Sequence, residues 1–199
     1  MQNSNNKHFT HFKVHTQYSI CEGAVKIESL KDFCKENKLV SVGICDTENL
    51  CGALEFSENI SKVGTQPIIG TQINFKYEDT TGLLPLIALN ENGYKKIIEL
   101  SSKSYLENDV LSKPHLDIKE LLDNISDVIL LSGTNHGLFG KLFEKGRFDE
   151  IQKIYKDLLK NFKDNFYLEI QRHGDQNEIS FEKFNLEQSF RLKIPIIAS

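Results

Sequence analysis

LVSVGICD, residues 39–46, followed by CGALEFSENISKVG, residues 51–64, and QPIIGTQINF, residues 66–75, decides how this sequence is read. The first run is apolar on both alternating faces, the pattern of a strand buried in a parallel sheet, the second has a helical pattern, and the third returns to β-rich residues. The same alternation extends outward. Toward the N-terminus lie HFKVH (11–15) and the helical KIESLKDFCKENK (26–38). Toward the C-terminus lie LLPLIAL (83–89), NGYKKIIELSSKSYL (92–106), DVILLSG (127–133), HGLFGKLFEKG (136–146), FDEIQKIYKDLLKNF (148–162), NFYLEIQ (165–171), ISFEKFNLEQSFRL (179–192) and IPIIAS (194–199). The clearest helix places Ile151, Ile154, Tyr155, Leu158, Leu159 and Phe162 on one apolar stripe. Repeated βα units imply a parallel sheet covered by helices. Seven strand candidates make a closed barrel more natural than an open sheet, with chemistry at the C-terminal strand ends, where His15, Asp46 and Gln72 fall. No glycine-rich phosphate loop follows any strand, so dinucleotide and P-loop readings have no support.

The composition narrows the function classes. A chain of 199 residues, 39% hydrophobic, can bury a core and fits one domain, or one cut from a longer protein. A net charge of −4 argues against a broad phosphate-backbone surface. Cys21, Cys34, Cys45 and Cys51 form no CxxC pair and read as reduced thiols of a cytosolic protein. No apolar run is long enough for a membrane helix, and the polar MQNSNNKH start lacks a signal-peptide core, so a soluble, unprocessed cytoplasmic protein without membrane contact is expected. The final strand, IPIIAS, lacks the polar residues that follow the earlier strands, suggesting a truncated chain.

HFTHFKVHTQYS, residues 8–19, carries the chemical question. As a strand it would place His11, Lys13 and His15 on one face, two imidazoles around an ammonium. Taken with SVGICDTENLCGALEF, QPIIGTQINF, ALNENGYKKIIELSSKSY, VILLSGTNHGLFG and FYLEIQRHG, in that order, it resembles the polymerase and histidinol phosphatase (PHP) domain, particularly the form at the N-terminus of bacterial DNA polymerase III alpha subunits. The resemblance covers nearly all of residues 1–199 and implies a distorted (βα)7-type barrel, truncated at its C-terminal end.

Intact members of that family hold three metal ions, and the resemblance identifies the positions to compare. Lys13 stands in place of a ligating His, and a protonated ammonium has no lone pair to offer a cation. His15 is kept, Glu22 supplies a carboxylate where the family has Asp, and Asp46 is kept. Thr47 replaces a His, Gln72 a Glu, Leu83 a His and Thr134 a Cys, while the closing NDxH block would begin after Ser199. Such a set cannot neutralise two or three dications, so no metal, catalytic or cofactor-binding residue is expected. Lys13 is expected to pair with Asp46 or Glu22, supplying the charge once supplied by metal.

Other polar residues receive structural readings. His136 and His173 lack sequence-near partners that would tune them for catalysis. Thr134 is expected to N-cap the helix beginning near His136. Glu169, Gln171 and Arg172 lie in the recurrent LEIQRHG block, with Glu169 and Arg172 expected as a satisfied structural pair. Phe181, Phe184 and Phe190 are expected in the core.

The resemblance implies a parent DNA-directed DNA polymerase whose downstream palm carboxylates hold Mg²⁺. This domain would be an inactive structural platform docking the proofreading exonuclease (epsilon) subunit. The parent would join the remaining holoenzyme, including the sliding clamp, and would contact DNA. A metal-dependent phosphoesterase or proofreading nuclease is the alternative.

Overall fold

A computed structural model describes residues 9–109, 111–123 and 125–199. The MQNSNNKH start therefore lies outside the described residues. The elements run α1 (Ile27–Glu36), β1 (Ser41–Thr47), α2 (Ala53–Ser61), β2 (Gln66–Tyr77), β3 (Thr80–Ala88), α3 (Glu91–Leu106), β4 (Leu116–Asp117), β5 (Val128–Leu131), α4 (Leu138–Glu144), α5 (Phe148–Phe162), β6 (Phe166–Ile170), α6 (Gln176–Leu192) and β7 (Ile196–Ala198). The strands form one mixed sheet in the order β1-β2-β3-β5-β6-β7, with β4 beside β2, curled into a half-barrel.

The expected βα alternation is present, with one reversal. β3 runs antiparallel to both β2 and β5, whereas the β1–β2, β5–β6 and β6–β7 pairs are parallel. The reason is local: parallel neighbours need a crossover of about a dozen residues, and only Glu78 and Asp79 separate β2 from β3. Glu78 takes the turn at φ 53°. Arg147 clamps the hairpin tip by donating to Glu78 at 2.5 Å and Asp79 at 2.9 Å, and Lys145 donates to Asp79 at 2.8 Å.

The HFKVH segment is not a full strand. It runs beside β1 through a single parallel bridge, Val14 to Ile44, with Gly43 N donating to His11 O at 2.7 Å and Cys45 N donating to Val14 O at 2.9 Å. Gly43 permits this approach, since a Cβ there would sit 2.7 Å from the Phe12 carbonyl oxygen.

Two apolar cores result. The smaller joins Ile27, Leu30 and Cys34 of α1 to Val42, Ile44, Phe56 and Ile60. The larger joins β2, β3, β5 and β6 to the helices that cover them. Helix α5 has the predicted bounds and buries Ile151, Ile154, Tyr155, Leu158 and Phe162. Phe181 and Phe184 are in the core as expected, but Phe190 is 91% exposed. The spacing explains the difference: on α6, Phe190 falls in line with Ile179 and Leu186 on the outer surface, away from Phe181 and Phe184.

Candidate functional site

The curl of the sheet opens a cleft of roughly 580 Å³ lined by Lys13, His15, Glu22, Gln72, Leu83 and Thr134, among others. Six of the eight family-aligned positions thus meet in one place, from segments as far apart in sequence as the N-terminus and the β5–α4 loop. At the end of β1, Thr47 bonds the lining residues Glu22 and Gln72, and the neighbouring Asp46 bonds Thr16 and Ser19.

The expected partner of Lys13 is corrected by the geometry. Its Nζ donates to Glu169 Oε1 at 2.5 Å, with the two side chains 6% and 0% exposed. The same oxygen accepts hydrogen bonds from Gln171 Nε2 at 3.1 Å and from the Ser199 hydroxyl. Asp46 is not available to Lys13 because neutral donors already surround it. Its Oδ1 accepts from Thr16 N at 2.6 Å and Ser19 Oγ at 2.7 Å, and its Oδ2 accepts from Thr16 Oγ1 at 2.8 Å. Thr16 and Ser19 were not singled out in the sequence, although a Thr and a Ser three residues apart just beyond a strand-like run are the signal of a hydroxyl-stabilised turn. Glu22 is also occupied: the Thr47 hydroxyl donates to it, and Gln72 Nε2 donates to Thr47 Oγ1 at 2.7 Å. A chain of hydrogen bonds from neutral donors therefore joins three of the family-aligned positions, Gln72, Thr47 and Glu22.

Burial lowers the pKa of His15, and the neighbouring Lys13 ammonium lowers it further, against opposing pulls from Glu22 and Asp46. His15 Nδ1 is buried without a hydrogen-bond partner among the described residues. His11 does not join the cleft: it lies exposed, edge-on to Phe9 at 4.9 Å. A one-bridge segment at the sheet margin does not hold both His positions on a common face.

The remaining loop residues take structural partners. Arg172 pairs with Glu182 at 2.6 Å, so the expected Glu169–Arg172 pair does not form; the exposed loop directs Arg172 to α6 while Glu169 points inward on β6. Thr134 Oγ1 accepts from His136 N at 3.1 Å, but α4 begins at Leu138 after Gly137, so Thr134 stabilises the preceding turn rather than capping the helix. His136 lies 3.7 Å from Asp175, and His173 Nδ1 lies 2.9 Å from Glu178. A hydrogen bond from the His173 ring, supported by the backbone N–H groups of His173, Asp175 and Gly174, holds the Glu178 carboxyl below its ordinary pKa.

Among the described residues, no cluster of three or more His, Cys, Asp or Glu side chains is arranged to hold a metal ion. A trinuclear metal group does not fit the residues present: an ammonium occupies one ligand position, and the nearby carboxylates are bound to Lys13, hydroxyls or backbone N–H groups.

The family assignment follows from fold and sequence together. The chain belongs to the PHP domain family, whose model matches residues 11–173. Its curated relatives include DNA polymerase III subunit alpha from Caulobacter vibrioides, 31% identical over 207 residues, and from Haemophilus influenzae, 32% identical over 201 residues. The protein of that name from Helicobacter pylori is 33% identical over 213 residues. These matches cover 100%, 98% and 98% of this chain but 18%, 17% and 17% of the relatives, so the chain spans under a fifth of their length, in an N-terminal part.

Solved structures agree on the fold. A Bifidobacterium adolescentis protein, provisionally named a metal-dependent phosphoesterase, superposes with a TM-score of 0.59 at 11% identity, covering 96% of this chain and 85% of that one. An amidohydrolase from Chromobacterium violaceum gives 0.55 at 10% identity, covering 94% and 84%.

Proposed function

We propose that this chain is the N-terminal domain of a replicative DNA polymerase alpha subunit, acting as a metal-free structural platform that docks the proofreading exonuclease subunit. The observation that carries the reading is the buried Lys13–Glu169 pair in the cleft where metal-binding relatives would gather ligands. In the parent polypeptide, primer extension would fall to a downstream palm domain whose carboxylates hold Mg²⁺ for in-line attack. DNA and sliding-clamp contacts would belong to that parent assembly, working in the cytoplasm away from membranes. No helix among the described residues is long and apolar enough to cross a membrane.

Elemental analysis after exposure to Mn²⁺ and Zn²⁺ and thorough desalting tests the metal-free part. Less than about a tenth of an equivalent is expected, unchanged by His15→Ala. Stoichiometric metal that disappears with His15→Ala would overturn it. Co-purification of the full-length polypeptide with its exonuclease subunit tests docking, and separation of the two on a sizing column at micromolar concentration would overturn that part. The alternative, a metal-dependent phosphoesterase or nuclease, draws on His15 and Glu22, the two family-aligned donors that line the cleft, where His136 and His173 also lie. Phosphate or nucleotide release that depends on Mn²⁺ or Zn²⁺ and is lost in His15→Ala would select it.

A further inference from the structure

The two oxygens of Glu169 are unequally served. Oε1 takes hydrogen bonds from Lys13, Gln171 and Ser199, whereas Oε2 is buried without a partner among the described residues, on a side chain 0% exposed. A buried ion pair offsets its desolvation only when the remaining lone pairs are satisfied as well, so this oxygen calls for a donor. Glu169 also borders a second, much smaller pocket than the cleft, of roughly 10 Å³, shared with Thr134, Asn135, Gln171, Glu178 and Phe181. That is about the space one water molecule needs.

We propose that this pocket is a binding site for a single internal water, which donates to Glu169 Oε2 and ties β6 to the β5–α4 loop; the inference rests on the metal-free reading of the adjoining cleft. The polar groups around the pocket have the valences such a water requires. Thr134 Oγ1 accepts from His136 N, leaving its own proton to donate. Asn135, 5% exposed, spends one amide N–H on Asp175 and keeps the other. Gln171 donates from Nε2 to Glu169 and Ser199, leaving its carbonyl oxygen as an acceptor. A water that donates to Glu169 Oε2 and Gln171 Oε1 and accepts from Thr134 or Asn135 makes about three hydrogen bonds, the usual number for a buried water. A cation suits the pocket less well. The Lys13 ammonium lies 2.5 Å from the other oxygen of the same carboxylate and repels a second positive charge. The remaining carboxylates are engaged as well, Glu178 by the His173 ring and backbone N–H groups and Glu182 by Arg172. Thr134, at a family ligand position, thus acts as a ligand to water.

A high-resolution crystal structure of the full-length polypeptide tests the site, with diffraction also recorded at the zinc and manganese absorption edges. The expected result is one isolated peak about 2.7–2.8 Å from Glu169 Oε2, with at least one further contact to Thr134, Asn135 or Gln171 and no anomalous signal. An empty pocket, or an Oε2 bonded directly by a protein donor, would overturn the inference. An anomalous peak at about 2.0–2.2 Å from Oε2 would overturn it by making the occupant a metal. The same crystals of Lys13→Met/Glu169→Leu should lose the peak, because an apolar pocket stays dry; a peak that persists there would mean that Glu169 does not hold the water. Anomalous signal at His15 beside a water at Glu169 would sink the metal-free reading alone, whereas a dry pocket without metal would sink only this inference.

Discussion

Asp46 and Glu169 are both buried carboxylates at the open end of one sheet, yet they are stabilised in opposite ways. Asp46 is bound by a backbone N–H and two hydroxyls from Thr16 and Ser19, all neutral and all within one short turn. Glu169 depends on an ammonium 156 residues away in sequence, with one amide and one hydroxyl in support, and its Oε2 has no partner among the described residues. Neutral donors can solvate a carboxylate without adding a second charge to bury. An ion pair requires desolvating both groups, so removing either member leaves the other uncompensated. Asp46 is therefore a local tie, whereas the Lys13–Glu169 pair joins the margin of the sheet to β6.

The largest expected effect comes from breaking the long-range pair. Lys13→Met should cost about 3–5 kcal/mol by leaving Glu169 buried and unpaired, lowering the melting temperature by roughly 10 °C. The double variant Lys13→Met/Glu169→Leu should recover most of that loss, because no isolated charge remains. Thermal or urea denaturation of these two variants, of Glu169→Leu alone and of the original protein makes a double-mutant cycle. A double variant no more stable than Lys13→Met would mean that the pair does not account for the loss.

Removing charge at Asp46 should matter less. Asp46→Asn retains an oxygen to accept the Thr16 N–H, and the Thr16 hydroxyl can rotate to accept from the new amide, so a loss of about 1–2 kcal/mol is expected. The same denaturation series checks it. A loss matching that of Lys13→Met would mean that the Asp46 charge, rather than its hydrogen-bonding geometry, stabilises the turn.

These contrasts explain what could be read from the residues alone. The bounds of α5 were legible because a long amphipathic stripe repeats its own signal, and the order of βα units was legible for the same reason. The β2–β3 hairpin was not, because KYEDTT lacks the Asn-Gly or Asp-Gly pair that usually marks a two-residue turn. The family-aligned positions came from linked motifs and do gather in one cleft. The Lys13 partner could not be chosen that way: the family-aligned carboxylates left without a metal were Asp46 and Glu22, but hydroxyl donors occupy both, and only the curl of the sheet brings Glu169 within reach. Phe190 was misplaced because aromatic content in a helical stretch does not say which face each ring occupies.

The smallest effect sharpens the comparison through pH. His15 shares the Lys13 side of the cleft, and burial followed by the Lys13 charge lowers its pKa from the ordinary 6.5. As pH falls below about 6.5, the unfolded chain takes up a proton that the folded chain resists, so His15 makes stability decline until its lowered folded pKa is passed. His15→Gln should therefore flatten the loss of stability on the acid side of neutrality while leaving the curve above pH 7 nearly parallel to that of the original protein. Lys13→Met should flatten it partly, since one of the two causes of the shift is removed. Denaturation midpoints measured from pH 5 to 8 would reveal this order. An unchanged acid slope in His15→Gln would assign the pH dependence to other groups and separate His15 from the electrostatics of the Lys13–Glu169 pair.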